Sequence, residues 1–404
     1  MEIKDSGYDT LSVMICDDSA LMRNLVSRMV NETPGMQVVG KASNGQMLLD
    51  LLPEYNPDII ILDIEMPVMT GVEFLRERKK RKIDIPVIIL SSIATKGATV
   101  TMECLELGAS DFITKPGGSV STDVINVQED LVERLASYGT TYARRRGKKM
   151  PQADFFMHAS KMREAERFVA KQKGIETPEM PAPTKEVLAP LLKTVVIHKE
   201  PAKIEVLRDG GKVKIIALGI STGGPNALRE VFKLIDPHLK APILVVQHMP
   251  AGFTKEFAQS LDRICPLKVQ EASDGMKIQE GNIYIAPGAY HIEVEEALGG
   301  NIIRTNQKEP RNGHRPSADV LFESVARIYK NNALGVIMTG MGRDGAAQIT
   351  EMRKQGAYTL GQDEESSIVY GMPRVAYELG GVQKQVSLKD MADEISRIAR
   401  EHSY

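Results

Sequence analysis

From Leu11 onward, apolar runs of strand length alternate with longer stretches of helical spacing, and this alternation restricts the possible folds more than any other feature. LSVMIC, MQVVGKA, DIIILDI, PVIILSS and SDFITK read as strands. Between them, SALMRNLVSRMV, NGQMLLDLL, GVEFLRERKK and TVTMECLELG place apolar residues at helical intervals. Strands joined through helices form a parallel sheet covered on both faces. The first domain is therefore expected to be a doubly wound α/β domain with five parallel strands, its site at the carboxyl edge of the sheet. A second such pattern starts at Lys212, with KVKIIALGI, PILVVQH, KVQEA, NIYIAPG and ALGVIMTG as strands and GPNALREVFKLI and TKEFAQSLDRI as helices. It predicts a second doubly wound α/β domain. Between the two lie the basic cluster RRRGKK, the mostly charged DFFMHASKMREAERFVAKQK and the proline-rich PEMPAP. These give an expected division into 11–135, a linker over 136–210 with some local helix, and 211–404.

A chain of 404 residues exceeds what one ordinary core organises, in keeping with two domains. The net charge of -2 makes any charge argument local. Lys212 to Tyr404 holds no three-helix pattern with a recognition helix and no concentrated basic face, so no nucleic-acid partner is expected. The longest apolar runs, IIILDI and APILVV, fall far short of the roughly 20 residues of a membrane span. MEIKDSGYD at the N-terminus is polar and lacks an apolar signal core. Cys16, Cys104 and Cys265 lie far apart with no ligand spacing. A cytoplasmic location without membrane insertion is the expectation.

In the first domain Asp17 and Asp18 end the first strand, Asp63 ends the third, and Lys115 follows the fifth. A parallel sheet brings these strand ends to one edge. Clustered carboxylates repel unless a cation lies between them, and hard oxygen ligands suit Mg²⁺. A carboxylate beside Mg²⁺ and a lysine can accept a phosphoryl group, because both cations neutralise the transferring oxygens. One such aspartate alone would read as a helix cap; the ordered set does not. From Leu11 to Glu133 the chain resembles a response-regulator receiver domain. The resemblance implies that Asp63 is the phospho-acceptor, that Asp17 and Asp18 hold Mg²⁺ with it, that Ser91 and Lys115 contact the phosphoryl group, and that Phe112 is the switch aromatic.

A receiver regulates an output, and the second domain carries the candidate output in GISTGGP. As a phosphate cradle this turn lacks both the Lys-Ser/Thr ending of a nucleotide loop and the G-x-G-x-x-G spacing. As a nucleophile turn, Gly219 to Gly223 matches G-x-S-x-G around Ser221. A capping serine is the plain alternative. A serine nucleophile needs a base, and the base an orienting acid. His248 ends the strand PILVVQH, with His291 and His314 as competitors that could instead contact substrate or support a loop. His158, His198, His238 and His402 occupy linker, loop or tail positions. Asp344 lies in a glycine-rich turn directly after ALGVIM, while Asp274, Asp319 and Asp363 do not directly follow a buried-looking strand. The chain order serine, histidine, aspartate differs from that of an α/β-hydrolase.

GISTGGPNAL, QHMPAGFTKEFAQSLD, EASDGM, YIAPGAYH, HRPSADVLFESVA, MTGMGRDGA and QDEESSIVYGMP, together with the receiver, resemble the chemotaxis-specific protein-glutamate methylesterases, the CheB family. The resemblance implies a catalytic triad of Ser221, His248 and Asp344, with oxyanion donors at the backbone N–H groups of Thr222 and Met341. It implies hydrolysis of glutamyl γ-methyl esters on the cytoplasmic helices of methyl-accepting chemoreceptors, with deamidation of receptor glutamines as a companion activity. A chemotaxis histidine kinase would be the phosphodonor, and the esterase domain would need no cofactor. The unphosphorylated receiver is expected to block the esterase and phosphorylation to relieve the block. The alternative is a non-catalytic signalling adaptor or phosphate sink on the same fold. Gln348 stands where the resemblance implies a small glycine.

Overall fold

The computed structural model describes residues 7–92, 95–115, 121–172 and 200–402. PEMPAP and His198 lie outside the described residues. The chain forms two compact units, Met1–Ile197 and His198–Tyr404.

In the first unit five parallel strands, β1 (Leu11–Cys16), β2 (Met36–Ala42), β3 (Ile59–Asp63), β4 (Val87–Ser91) and β5 (Asp111–Thr114), lie in the order β2-β1-β3-β4-β5. Every residue of β3 and β4 is buried. Strands covered by helices on both faces have no solvent side, which is why IIILD and VIILS show no alternation. Helix α3 (Gly71–Lys80) begins with a reciprocal cap: Thr70 Oγ1 accepts from the Glu73 N–H and Glu73 returns a bond to the Thr70 N–H.

The helix α5 (Ser121–Arg145) runs ten residues past Leu135, into the stretch expected to be linker, and α6 (Ala153–Gln172) packs back on it. Tyr138 and Ala143 on α5 and Phe155, Phe156 and Met157 on α6 are buried. The basic cluster is partly engaged locally: Lys148 Nζ lies 2.6 Å from Asp58, and Arg144 donates to the Pro151 carbonyl at 2.6 Å.

The second unit is built on seven parallel strands. These are β6 (Ile215–Ile220), β7 (Ile243–Gln247), β8 (Lys268–Glu271), β10 (Asn282–Ile285), β13 (Ala333–Ile337), β14 (Tyr358–Gln362) and β15 (Lys384–Val386), ordered β15-β14-β13-β6-β7-β10-β8. A small antiparallel sheet of β9 (Met276–Lys277), β11 (His291–Glu295) and β12 (Ile302–Asn306) accompanies it. The helix α7 (Gly224–Leu234) buries Ala227, Leu228, Val231 and Phe232, a single stripe of helical period. Central β6 is wholly buried between β13 and β7, and the chain reverses its direction of travel across the sheet there. Such a switch point opens a crevice beyond the strand ends.

Candidate active site

Ser221 follows β6 and His248 follows β7. The register pairs Ile220 with Gln247, so Ser221 and His248 are the next residues on neighbouring strands, and the His248 N–H donates to the Ile220 carbonyl at 3.2 Å. Strands about 4.8 Å apart bring such side chains within reach. His248 Nδ1 lies 3.1 Å from Ser221 Oγ. Its Nε2 lies 2.8 Å from Asp344 Oδ2, an aspartate carried by the loop after β13 on the other side of β6. Three strand ends thus supply one hydrogen-bonded chain. Gly219 is needed because a Cβ there would come 2.7 Å from Ala318 Cβ. Gly223, not the serine, takes the left-handed conformation of the turn, with φ +85°.

Asp344 is 1% exposed and sits at the start of α9 (Ala318–Tyr329). Oδ1 accepts from Ser317 Oγ at 2.6 Å and Asn312 Nδ2 at 2.9 Å, and Oδ2 accepts from the Ala318 N–H at 2.6 Å as well as from His248. Burial works to raise its pKa. The bond and charge of His248 and the Ser317 and Asn312 donors outweigh that and hold the carboxyl well below the usual carboxylate range. Asp344 is therefore a permanent anion facing the imidazole.

Of the competing histidines, His314 is also at the site, stacked on His248 with ring centroids 3.8 Å apart and planes at 11°. Burial, then the neighbouring His248, depress its pKa to about 4. His314 therefore stays neutral near pH 7 while the unfolded chain takes up a proton below about pH 6.5. Stability from this group is complete above about 6.5 and lost as pH falls toward 4. The expected result is that His314→Phe flattens the fall in the urea midpoint of the second unit between pH 7 and pH 5. An unchanged slope would remove this assignment.

The other sequence candidates are engaged elsewhere. His291 is buried at the head of β11, with Nε2 3.2 Å from the Glu309 carbonyl. His158 contacts the Asp154 carbonyl and His402 the Tyr358 hydroxyl. The His238 N–H bonds Asp236. Asp274 pairs with Arg304, Asp363 accepts from Ser366, and Asp319 accepts from Asn312 and from the Gln348 N–H at 3.0 Å. The larger Gln348 side chain thus leaves its helix start tied to Asp319.

Thr222 is buried, and its carbonyl accepts from Thr339 Oγ1 at 2.9 Å. Met341 lies on the loop after β13, next to Gly340, which is held by the Val369 carbonyl and the Met372 N–H at 3.0 and 2.8 Å. Sequence reasoning did not find Gln247, Asn312, Ser317 or Thr339 as supports. A glutamine closing the apolar run PILVV was the one legible signal among them.

In the first unit, carboxylate oxygens of Asp17, Asp18 and Asp63 lie within 4.8 Å of one another. Lys115 Nζ reaches Asp63 at 2.7 Å and Asp17 at 3.0 Å. Burial raises the Asp63 pKa against the opposing effect of Lys115, and the charge of Asp17 adds to the rise. Three carboxylates served by one ammonium suit a further hard cation, so the donor set fits Mg²⁺. Ser91 is buried at the end of β4, accepts from Thr101 Oγ1 at 2.7 Å, and is paired in register with Thr114. Phe112 is buried on β5.

The family model for CheB methylesterase matches residues 216–395, and that for the response regulator receiver domain matches residues 13–121. The chain is 50% identical over 393 residues to a protein-glutamate methylesterase/protein-glutamine glutaminase of Treponema denticola, covering 97% of this chain and 99% of that one. A protein of the same name from Treponema pallidum is 48% identical, over 96% of this chain and 97% of its own. A crystal structure of the Thermotoga maritima CheB methylesterase catalytic domain shares 34% identity and covers 46% of this chain and 99% of that one, at a TM-score of 0.45. The full-length relatives and the two family matches place the chain in the CheB methylesterase family, with a receiver domain ahead of the esterase domain.

Proposed function

We propose that the chain hydrolyses glutamyl γ-methyl esters, and deamidates glutamines, on the cytoplasmic helices of methyl-accepting chemoreceptors, under control of a phosphoryl group on Asp63. The observation that carries this reading is the Ser221–His248–Asp344 chain at the carboxyl edge of one sheet. Ser221 Oγ attacks the side-chain carbonyl carbon while His248 Nδ1 takes its proton, and the Nε2–H keeps donating to the Asp344 carboxylate. The tetrahedral oxyanion is held by the N–H groups of Thr222 and Met341. Collapse breaks the bond to methoxide, which leaves as methanol with the proton from Nδ1; ammonia leaves from an amide in the same way. Water, giving its proton to Nδ1, then attacks the acyl-serine, and Ser221 departs with that proton.

In the receiver, Asp17, Asp18 and Asp63 would hold Mg²⁺, which supplies neutralising charge toward phosphoryl oxygens. Asp63 Oδ accepts the phosphoryl group from a chemotaxis histidine kinase. Lys115 pairs with the new charge, and Ser91 and Phe112 readjust beside it. No helix among the described residues is long and apolar enough to cross a membrane, and the substrate chemistry suits a cytoplasmic enzyme.

The test is methanol release from methylated chemoreceptor by the full chain, with and without a small-molecule phosphodonor and Mg²⁺. Release that rises with the phosphodonor is expected, and absence of release would favour the adaptor alternative. In Asp63→Asn the ratio of the two rates should fall to about one, whatever the basal rate. A retained response would move the acceptor away from Asp63.

A further inference from the structure

One buried polar group beside the site that the mechanism leaves unused is the carboxamide of Gln247, the last residue of β7. The residue is 2% exposed. Its Nε2 donates to the main-chain carbonyls of Ser221 and His248, both at 3.1 Å. An amide nitrogen has two hydrogens, and here both are directed at the two residues that must stay in register. Oε1 is buried with no donor and lies against the start of α7, where a Cβ on Gly224 would come 1.9 Å from it. A buried amide oxygen without a donor is destabilising, so fold stability alone does not explain a glutamine here. The peptide joining Ser221 to Thr222 is planar and trans, so its N–H points opposite to the carbonyl that Gln247 holds. Across β6, the Ser221 N–H donates to the Thr339 carbonyl at 2.9 Å. The serine is thereby held from both neighbouring strands.

We infer that Gln247 is a positioning residue. It fixes the approach of Ser221 Oγ to His248 Nδ1 and aims the Thr222 N–H at the developing oxyanion. This inference rests on the esterase reading. A misplacement of about 1 Å in such an arrangement costs on the order of 100-fold in rate.

The test uses the full chain with phosphodonor and Mg²⁺ and a fluorophosphonate probe. The probe phosphonylates an activated serine oxygen with loss of fluoride, the proton going to the histidine. Gln247→Met keeps the volume and removes both donors; Ile243→Ala, a cavity in the same strand, controls for lost stability. The labelling rate at Ser221 and kcat for methanol release should fall together by roughly 10- to 100-fold in Gln247→Met, with KM unchanged. Ile243→Ala should label at the wild-type rate per folded molecule. Labelling of Gln247→Met at the wild-type rate, or slowed only as much as Ile243→Ala, overturns the clamp alone. A wild-type protein that does not label at Ser221 overturns the esterase reading and the clamp with it. If Gln247→Met does not fold, Gly224→Ala keeps both donors but displaces the carboxamide from its oxygen side; a similar loss is expected, and a wild-type rate overturns the proposal.

Discussion

Ser221→Ala is expected to lower methanol release from methylated receptor by about 10⁴- to 10⁶-fold, the range in which removing the nucleophile of a serine hydrolase leaves only binding and oxyanion stabilisation. The size of the effect follows from the geometry. Ser221 Oγ touches His248 Nδ1, at 3.1 Å, and Ser221 opens the turn bearing the Thr222 N–H. Alanine keeps the backbone bonds of the turn, because the Ser221 N–H and carbonyl, not its hydroxyl, engage Thr339, Gly224 and Gln247. The fold and the thermal midpoint should therefore persist, which separates loss of chemistry from loss of structure. His248→Ala should cost nearly as much, and the double variant no more than either single one, since members of a triad act as a unit. Release by Ser221→Ala within tenfold of wild type would remove the serine as nucleophile.

Much of this arrangement is legible in the chain itself. β6, β7 and β13 are uninterrupted buried runs, and the residues just past them are Ser221, His248 and the glycine-rich loop that carries Asp344. The choice among histidines is only partly legible: His248 has the best address, at the end of PILVVQH, but His291 and His314 also sit beside strand-like or turn-like sequence. Sheet topology separates them. His291 heads a strand of the small antiparallel sheet, where its Nε2 faces the Glu309 carbonyl and not Ser221. His314 reaches His248 only through the path of a loop, which no local period encodes. β9, two residues long, and β15, mostly exposed, carry too little apolar pattern to register as strands. The continuation of α5 past Leu135 was obscured by Gly139, a poor helix former. Its reason is tertiary: a Cβ there would come 2.9 Å from Leu11 on β1.

Asp344→Asn is expected to lower kcat by about 10⁴-fold, or about 5 kcal/mol of transition-state stabilisation, while leaving KM within a few-fold. The partners of this carboxylate are all donors: His248 Nε2–H, the Ala318 and Asp319 N–H groups, the Ser317 hydroxyl and the Asn312 amide. An asparagine must turn its own NH₂ toward one pair of them. Placed toward Oδ2, that NH₂ opposes the Ala318 N–H and drives the imidazole to carry its proton on Nδ1, where it faces Ser221 as a donor and cannot act as base. Placed toward Oδ1, it opposes the Asn312 amide and the longer Asp319 N–H contact beside a hydroxyl that can rotate, and His248 keeps its tautomer. In both cases the imidazolium formed during attack loses its counter-charge. The wild-type carboxyl, held well below the usual range, is ionised at any assay pH above that range, so protonating it cannot mimic the variant there. Because the amide nearly matches the carboxylate in size, the volume at the start of α9 is kept. Asp344→Asn should therefore fold and bind receptor while releasing methanol slowly. A variant with KM raised and kcat intact would instead make Asp344 a substrate-binding group, and one within tenfold of wild type in both would leave His248 oriented without it.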